Sequence, residues 1–207
     1  MQSTEDRRTF TEAARRAQIV EGAITTINEI GYHRASLAEI AKRSQVAKSG
    51  IVYYFGSKDA LLLQVLDIVF SGLGSEVENA VGAESAPEDQ LRAYAQSYLS
   101  HVDAHRREVA AGVTIVLSHR GPEGVPLYLI RTQEETALLR QILSDGMAEG
   151  TFRRMPLAVA VDVAESLLDL AVTTVQRDLD TDLSELIPGI ITFLLRGLDP
   201  QGQQDLG

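Results

Sequence analysis

The chain of 207 residues reads as all-α. Apolar residues recur at helical spacing in one segment after another, and no run shows the strict alternation of a half-buried strand. Punctuation agrees, because Ser, Pro and Gly stand where helices of that spacing should begin and end. The length suffices for one or two domains with a real core.

The stretch from Ser36 to Lys58, SLAEIAKRSQVAKSGIVYYFGSK, is the most informative part. Ser36 with Glu39 three residues later forms a capping box, so a short helix should start at Leu37. Leu37, Ile40 and Ala41 fall on one face of it, with Lys42 and Arg43 on the other. Ser44–Gln45–Val46 breaks the pattern, and a second short helix, Lys48 to Phe55, carries Ile51, Val52 and Phe55 at helical spacing. So short a joint between amphipathic helices predicts a helix-turn-helix whose second helix enters the major groove of DNA.

The residue types fit that task. Lys48 can neutralise a phosphate, Ser49 can bond a phosphate or a base edge, and Gly50 permits close approach. The hydroxyls of Tyr53 and Tyr54 reach phosphate oxygens while their rings pack. Ser57 is a good N-cap for the next helix and Asp59 suits its first turn. Lys58 is misplaced at the positive end of a helix dipole unless a phosphate sits there, since helix N-termini bind anions.

From about Arg15 to Leu66 the sequence resembles the DNA-binding domain of the TetR (tetracycline-repressor-like) family of bacterial regulators. The match includes a first amphipathic helix ending at Gly31–Tyr32, the Ser–x–x–Glu–Ile–Ala start, and the run Tyr54, Phe55, Ser57, Lys58 and Leu61. The resemblance implies that Ser36, Lys48, Ser49, Gly50, Tyr53, Tyr54 and Lys58 occupy DNA-contacting positions. Three departures stand out. Gln45 replaces the usual turn Gly, so a non-Gly residue would adopt a left-handed conformation at about 1 kcal/mol. Ala47 replaces the usual Ser or Thr N-cap, at about 1 kcal/mol. Val52 stands where the family often has a backbone-touching tyrosine. Together they predict a recognition helix loosely held until DNA binds.

Charge divides to match. Residues 1–58 hold nine Lys/Arg and six Asp/Glu, a net +3, and the remainder holds ten and twenty-three, a net −13. Only the N-terminal part has an electrostatic footprint for phosphate. One weakly basic copy binds weakly, which a two-fold pair on a palindromic operator would remedy. There is no Cys, which is compatible with a reducing cytoplasm. No apolar run approaches the ~20 residues of a membrane span, so no membrane partner is expected, and the polar start MQSTEDRRTFTEAARR is not a signal peptide.

The rest should form an all-helical ligand-binding and dimerisation domain, giving residues 1–56 to the helix-turn-helix domain and 57–207 to the second. A helix from Ser57 weakens near Gly72 and Gly74 and ends near Gly82. Pro87 starts the next, with the stripe Leu91, Tyr94, Ala95, Tyr98, Leu99 and Val102. Helices follow over Arg106–His119, about Pro126–Glu149 with Gly150 as its stop, and Pro156 to Arg177. A last helix, about Leu183 to Leu198, is expected to kink at Pro188–Gly189. The last two helices are apolar over so wide an arc that they need an outside neighbour. The resemblance supplies one, a second copy pairing as a four-helix bundle, hence a homodimer.

The resemblance also implies a small-molecule effector, of unknown identity, in a pocket among helices four to eight, whose binding moves helix four. Candidate lining residues are Leu66, Phe70, Tyr98, His101, Val113, Leu117, Tyr128, Arg131, Glu134 and Leu168. Arg131 with Tyr128 would suit an acidic ligand and Glu134 a cationic one, so the ligand class stays open. His101 and His105 have metal-ligand spacing, but read as two exposed histidines beside Arg106 and Arg107. Asp162, Glu165 and Asp169 share a helix face and read as solvated or dimer-edge carboxylates. No metal or cofactor is expected. Without a phosphate loop, an HExxH motif, a nucleophile elbow or any Cys, an enzyme is not expected either. The function implied is a ligand-responsive dimeric repressor; a regulator that activates, or that answers to a protein, is the alternative.

Overall fold

The computed structural model describes residues 2–121, 123–129 and 136–200. It is all-α: α1 (Gln2–Ile30), α2 (Leu37–Ser44), α3 (Lys48–Phe55), α4 (Lys58–Gly82), α5 (Pro87–Ala104), α6 (Arg106–Ser118), α7 (Ala137–Glu149), α8 (Leu157–Arg177) and α9 (Leu186–Leu198). The chain forms two compact units, Met1–Phe70 with Arg107–Leu129, and Ser71–Arg106 with Ile130–Gly207.

In the first unit, α1 buries Ile19, Val20, Ala23, Ile24 and Ile27, each worth up to about 1.5–3 kcal/mol for the larger side chains. α2 crosses α1 closely at Gly22, where a Cβ would lie 2.5 Å from Ser44 Cβ and 3.0 Å from its backbone. Both hydroxyls at the crossing bond back into their own helices, Thr26 to Gly22 O and Ser44 to Ile40 O. The Gln18 amide donates to Ser44 O at 2.7 Å and locks the pair. α6 is tied to α1 through Arg107, whose guanidinium donates to Thr25 Oγ1 and pairs with Glu21. Asn28 donates to Arg107 O, and Tyr32 OH lies 2.8 Å from His119 Nδ1.

In the second unit, α5 packs against α7, α8 and α9 and buries Leu91, Ala95, Leu99 and Val102. Gly146 of α7 admits the buried Phe152 ring, which would stand 2.1 Å from a Cβ there.

Four expectations are corrected. α4 runs unbroken through Gly72 and Gly74. By length and composition it is the one helix among the described residues able to cross a membrane, so the expected lack of any such run does not hold. Its buried Leu61, Leu62, Val65, Val69, Val77 and Val81 oppose outward Asp67, Glu76 and Glu78, the pattern of an amphipathic helix that packs one face, although Leu63, Ile68 and Phe70 are exposed. Pro126 opens a 3₁₀ turn, Leu127–Leu129, rather than an α-helix. It also pairs with Arg120 around a turn at Gly124, and α7 begins at Ala137. α9 starts at Leu186 rather than Leu183, which places Pro188 in its first turn. An amide proton has no helical partner there, so no kink need arise.

Candidate nucleic-acid interface

Local sequence builds the α2–turn–α3 unit much as read. Ser36 (φ −79°, ψ 160°) accepts from Glu39 N at 3.2 Å and caps α2. Only this half of the expected capping box forms. The Glu39 carboxylate turns to Arg43 at 2.7 Å, and Arg43 also reaches Glu29 at 2.6 Å. These bonds hold the Glu39 carboxyl below its usual range and raise the Arg43 guanidinium. Gln45 makes the left-handed turn (φ 53°, ψ 36°). Ala47 leaves the start of α3 without a side-chain cap.

α3 plants Ile51 and Phe55 in the core and turns Lys48, Ser49, Val52 and Tyr53 outward, with Tyr53 76% exposed. Tyr54 is half-buried, its ring edge-on to Tyr53 at 5.0 Å. The C-terminal end of α3 is gripped by Arg16, which donates to Tyr54 O at 2.7 Å. The Arg16 guanidinium lies 4.6 Å over the Phe55 ring. Its role went unseen in the sequence, because nothing local links a polar residue of α1 to a carbonyl 38 positions away.

Two expected contacts have internal reasons. A Cβ at Gly50 would stand 2.9 Å from Val46 Cγ1, so the turn itself favours glycine there. Lys58 Nζ donates to Tyr32 O at 3.0 Å and sits 4.6 Å over the Tyr32 ring. Burial lowers its pKa and raises that of Tyr32. The dipole misfit of Lys58 is thus relieved within the chain, and Ser57 caps α4 by accepting from Ala60 N at 3.0 Å. Of the seven predicted residues, Ser36, Lys48, Ser49 and Tyr53 are exposed and Gly50, Tyr54 and Lys58 are half-buried. Because Arg16 and Arg43 are committed internally, Lys42 joins Lys48 as an exposed cation on this unit. The sequence reading placed Lys42 on the polar face without assigning it a contact.

The pocket candidates fall in both units. Leu66 and Phe70 gather around Gly112 in the first unit, beside half-buried Val113; Leu117 and Tyr128 are exposed. In the second unit Leu168 is core, Tyr98 donates to Asp169 at 3.3 Å, and His101 contacts Glu76. Arg131 and Glu134 lie outside the described residues. Two surface readings are corrected. His101 is buried at 5% exposure. Glu165 is half-buried and, with Asp169, faces Tyr94 and Tyr98, whose hydroxyls are pushed up by burial and then by these carboxylates.

Residues 19–65 match the model of bacterial regulatory proteins of the tetR family. That matched segment, which holds the end of α1 through the start of α4, is similar to the TetR family. Over 84 residues it is 38% identical to the HTH-type transcriptional regulator BetI of Yersinia pestis (strain Pestoides F), covering 40% of this chain and 42% of that one. The chain therefore spans less than half the length of the curated TetR-family relative it matches. The TetR-family regulator PfmR of Thermus thermophilus superposes with a TM-score of 0.75 at 23% identity, covering 87% of this chain and 98% of that one. FadR of Bacillus subtilis, solved in complex with stearoyl-CoA, gives 0.71 at 21%, covering 88% and 98%. At those identities the two structures share the TetR fold. The relatives are regulators, not enzymes.

Proposed function

We propose that the chain is a ligand-responsive, dimeric transcriptional repressor that binds a palindromic operator through α3 and is released by a small molecule. The observation that carries the DNA-binding reading is the outward face of α3. Lys48, Ser49 and Tyr53 stand together in solvent, on a helix held from behind by Ile51, Phe55 and Arg16. Residues 1–56 serve as the DNA-binding domain and 57–207 as the ligand-binding and dimerisation domain. The homodimer reading is supported by apolar side chains left in solvent on the last two helices: Val159, Val163 and Leu170 of α8, and Phe193 of α9 at 74% exposure. A face of this kind is what a two-fold helical bundle covers. The effector is a small molecule of unassigned chemistry, and the place of action is the cytoplasm.

The test is footprinting on DNA flanking the chain's own gene and on duplexes selected from a random pool, across a salt series, with the mass in solution measured alongside. A protected palindrome whose occupancy falls steeply with salt, bound by a dimer, is expected. Failure to protect either DNA at low salt, or a monomer at micromolar concentration, would overturn the proposal.

A further inference from the structure

The second unit holds a cluster that the DNA-binding function does not use. His101 and His105 stand one helical turn apart at the end of α5, and Glu76 reaches them from α4. One ligand atom from each lies within 4.8 Å of the other two. His101 is buried, with Nδ1 2.8 Å from Glu76 Oε2. The His105 ring is tilted by 36° against the His101 ring, centroids 4.3 Å apart.

A hydrogen bond that satisfies a buried imidazole explains Glu76 and His101. It does not explain His105. That half-buried ring makes no hydrogen bond among the described residues, yet it is held beside a second imidazole. The cations next to it in sequence, Arg106 and Arg107, are both engaged by other groups. Arg106 is engaged by the Asp103 carboxylate and by the carbonyls of Leu179 and Thr181, and Arg107 is bound to Thr25 and Glu21.

We propose that Glu76, His101 and His105 form a three-ligand site for a divalent transition metal of the zinc class, with the fourth position open. Two neutral imidazoles and one carboxylate suit Zn²⁺ and its neighbours Co²⁺ and Ni²⁺, whereas Mg²⁺ and Ca²⁺ prefer all-oxygen sites. Bonds of about 2.0–2.2 Å arranged tetrahedrally separate ligand atoms by ~3.3 Å. The His101–Glu76 pair therefore opens by roughly 0.5 Å, and the widest pair closes by at most about 1.5 Å. The side chains that must move are the accessible ones, Glu76 at 53% exposure and half-buried His105. His101 is the fixed member. At Gly72 a Cβ would already stand 3.7 Å from His101 Cε1, so a longer side chain there would cover the ring edge. Glu76 and His105 leave the open position to water or to a small anionic or nitrogen ligand.

The test uses the full chain, stripped with a chelator and titrated with Zn²⁺, Co²⁺ and Mg²⁺, reading stoichiometry by elemental analysis, affinity by calorimetry and coordination by the Co²⁺ visible spectrum. One Zn²⁺ or Co²⁺ per chain, a low-coordinate Co²⁺ spectrum and no Mg²⁺ binding are expected. His105→Ala and Glu76→Gln should each weaken Zn²⁺ binding at least ~tenfold while leaving the metal-free helical signal and melting temperature near wild type. His33→Ala, at an exposed histidine of the other unit, should bind as wild type. Substoichiometric binding, or equal affinity in wild type and His105→Ala, would overturn the site. No arm involves DNA, so failure here is distinct from failure of the regulator reading.

Discussion

Gly22→Ala separates two effects of opposite sign at one atom. In an isolated helix the change is favourable by about 1 kcal/mol, because alanine loses less backbone freedom than glycine. At Gly22 the added Cβ would meet Ser44 Cβ at 2.5 Å and Ser44 Cα and N at 3.0 Å. Ordinary contact begins at 3.4 Å, so α1 and α2 must part by nearly an ångström at their crossing. Two of the three clashing atoms belong to the backbone and no rotamer relieves them. Overpacking costs typically 1–3 kcal/mol, and backbone clashes belong at its upper end. A gap of that size also forfeits part of the dispersion contact of neighbouring Ile19, Ala23 and Ile40. The net expectation is destabilisation by about 2 kcal/mol, with loss of operator affinity because α2 carries the turn that places α3. Urea unfolding and a DNA titration on the same variant measure both. Gly74→Ala is the control: its Cβ meets nothing within 4 Å, so it should stabilise by about 1 kcal/mol. If Gly22→Ala stabilises as much as Gly74→Ala, the close crossing is not what glycine is there for.

Arg16→Ala and Lys48→Ala should both weaken operator binding, for different reasons. Loss of the grip on Tyr54 O and the Phe55 ring should cost about 1–2 kcal/mol of stability and leave the salt slope of binding unchanged. Loss of Lys48 should spare stability and lower that slope by about 1. Lys58→Ala should weaken binding to all DNA sequences alike if Lys58 leaves Tyr32 O for a phosphate; unchanged affinity would confine Lys58 to its contact with Tyr32. Stability should also fall at high pH through Tyr94, raised from 10.0 to about 12 by burial and then by Glu165 and Asp169. Because the native state keeps the proton more tightly, this contribution is complete below pH 10.0 and is lost as pH rises to about 12. The slope is at most about 1.4 kcal/mol per pH unit. Denaturant titrations in that window should show a flatter profile in Tyr94→Phe, and an identical profile would remove Tyr94 as the cause.

The helix-turn-helix was legible because its signals are local. Ser36, Gln45, Ala47 and Ser57 act within four residues of themselves: the two serines cap their helices, Ala47 leaves α3 uncapped, and Gln45 takes the left-handed turn that its place demands against its own preference. Long-range pairings were not legible. Arg16 with Tyr54, Lys58 with Tyr32, and Glu76 with His101 join residues 25 to 38 positions apart, and no periodicity encodes them. Pro126 misled for a related reason. Proline marks a helix start or a turn equally well, and here the backbone of Gly121, Gly124 and Val125 closes a turn before it while Leu129 N bonds its carbonyl in a single 3₁₀ turn.

The sequence predicts a loosely held recognition helix, and the structure narrows that prediction to the start of the helix. Left-handed Gln45 and the uncapped start at Ala47 cost about 1 kcal/mol each, and both act on the first turn of α3. Against them stand Ile51 and Phe55, whose burial contributes about 1.5–3 kcal/mol each, and the Arg16 grip on the last turn. All of that anchorage lies at or beyond residue 51, so the expectation is that α3 as a whole stays folded while its start opens. Amide exchange should therefore be fast at residues 48–50 and slow at 54–56, and DNA should slow the first group more than the second. Lys48 and Ser49, which would meet the phosphates and bases, sit on the end that is ordered last. Uniformly strong protection from 48 to 55 in the free chain would mean that the missing cap is compensated, and ordering on DNA would no longer explain the departures at Gln45 and Ala47.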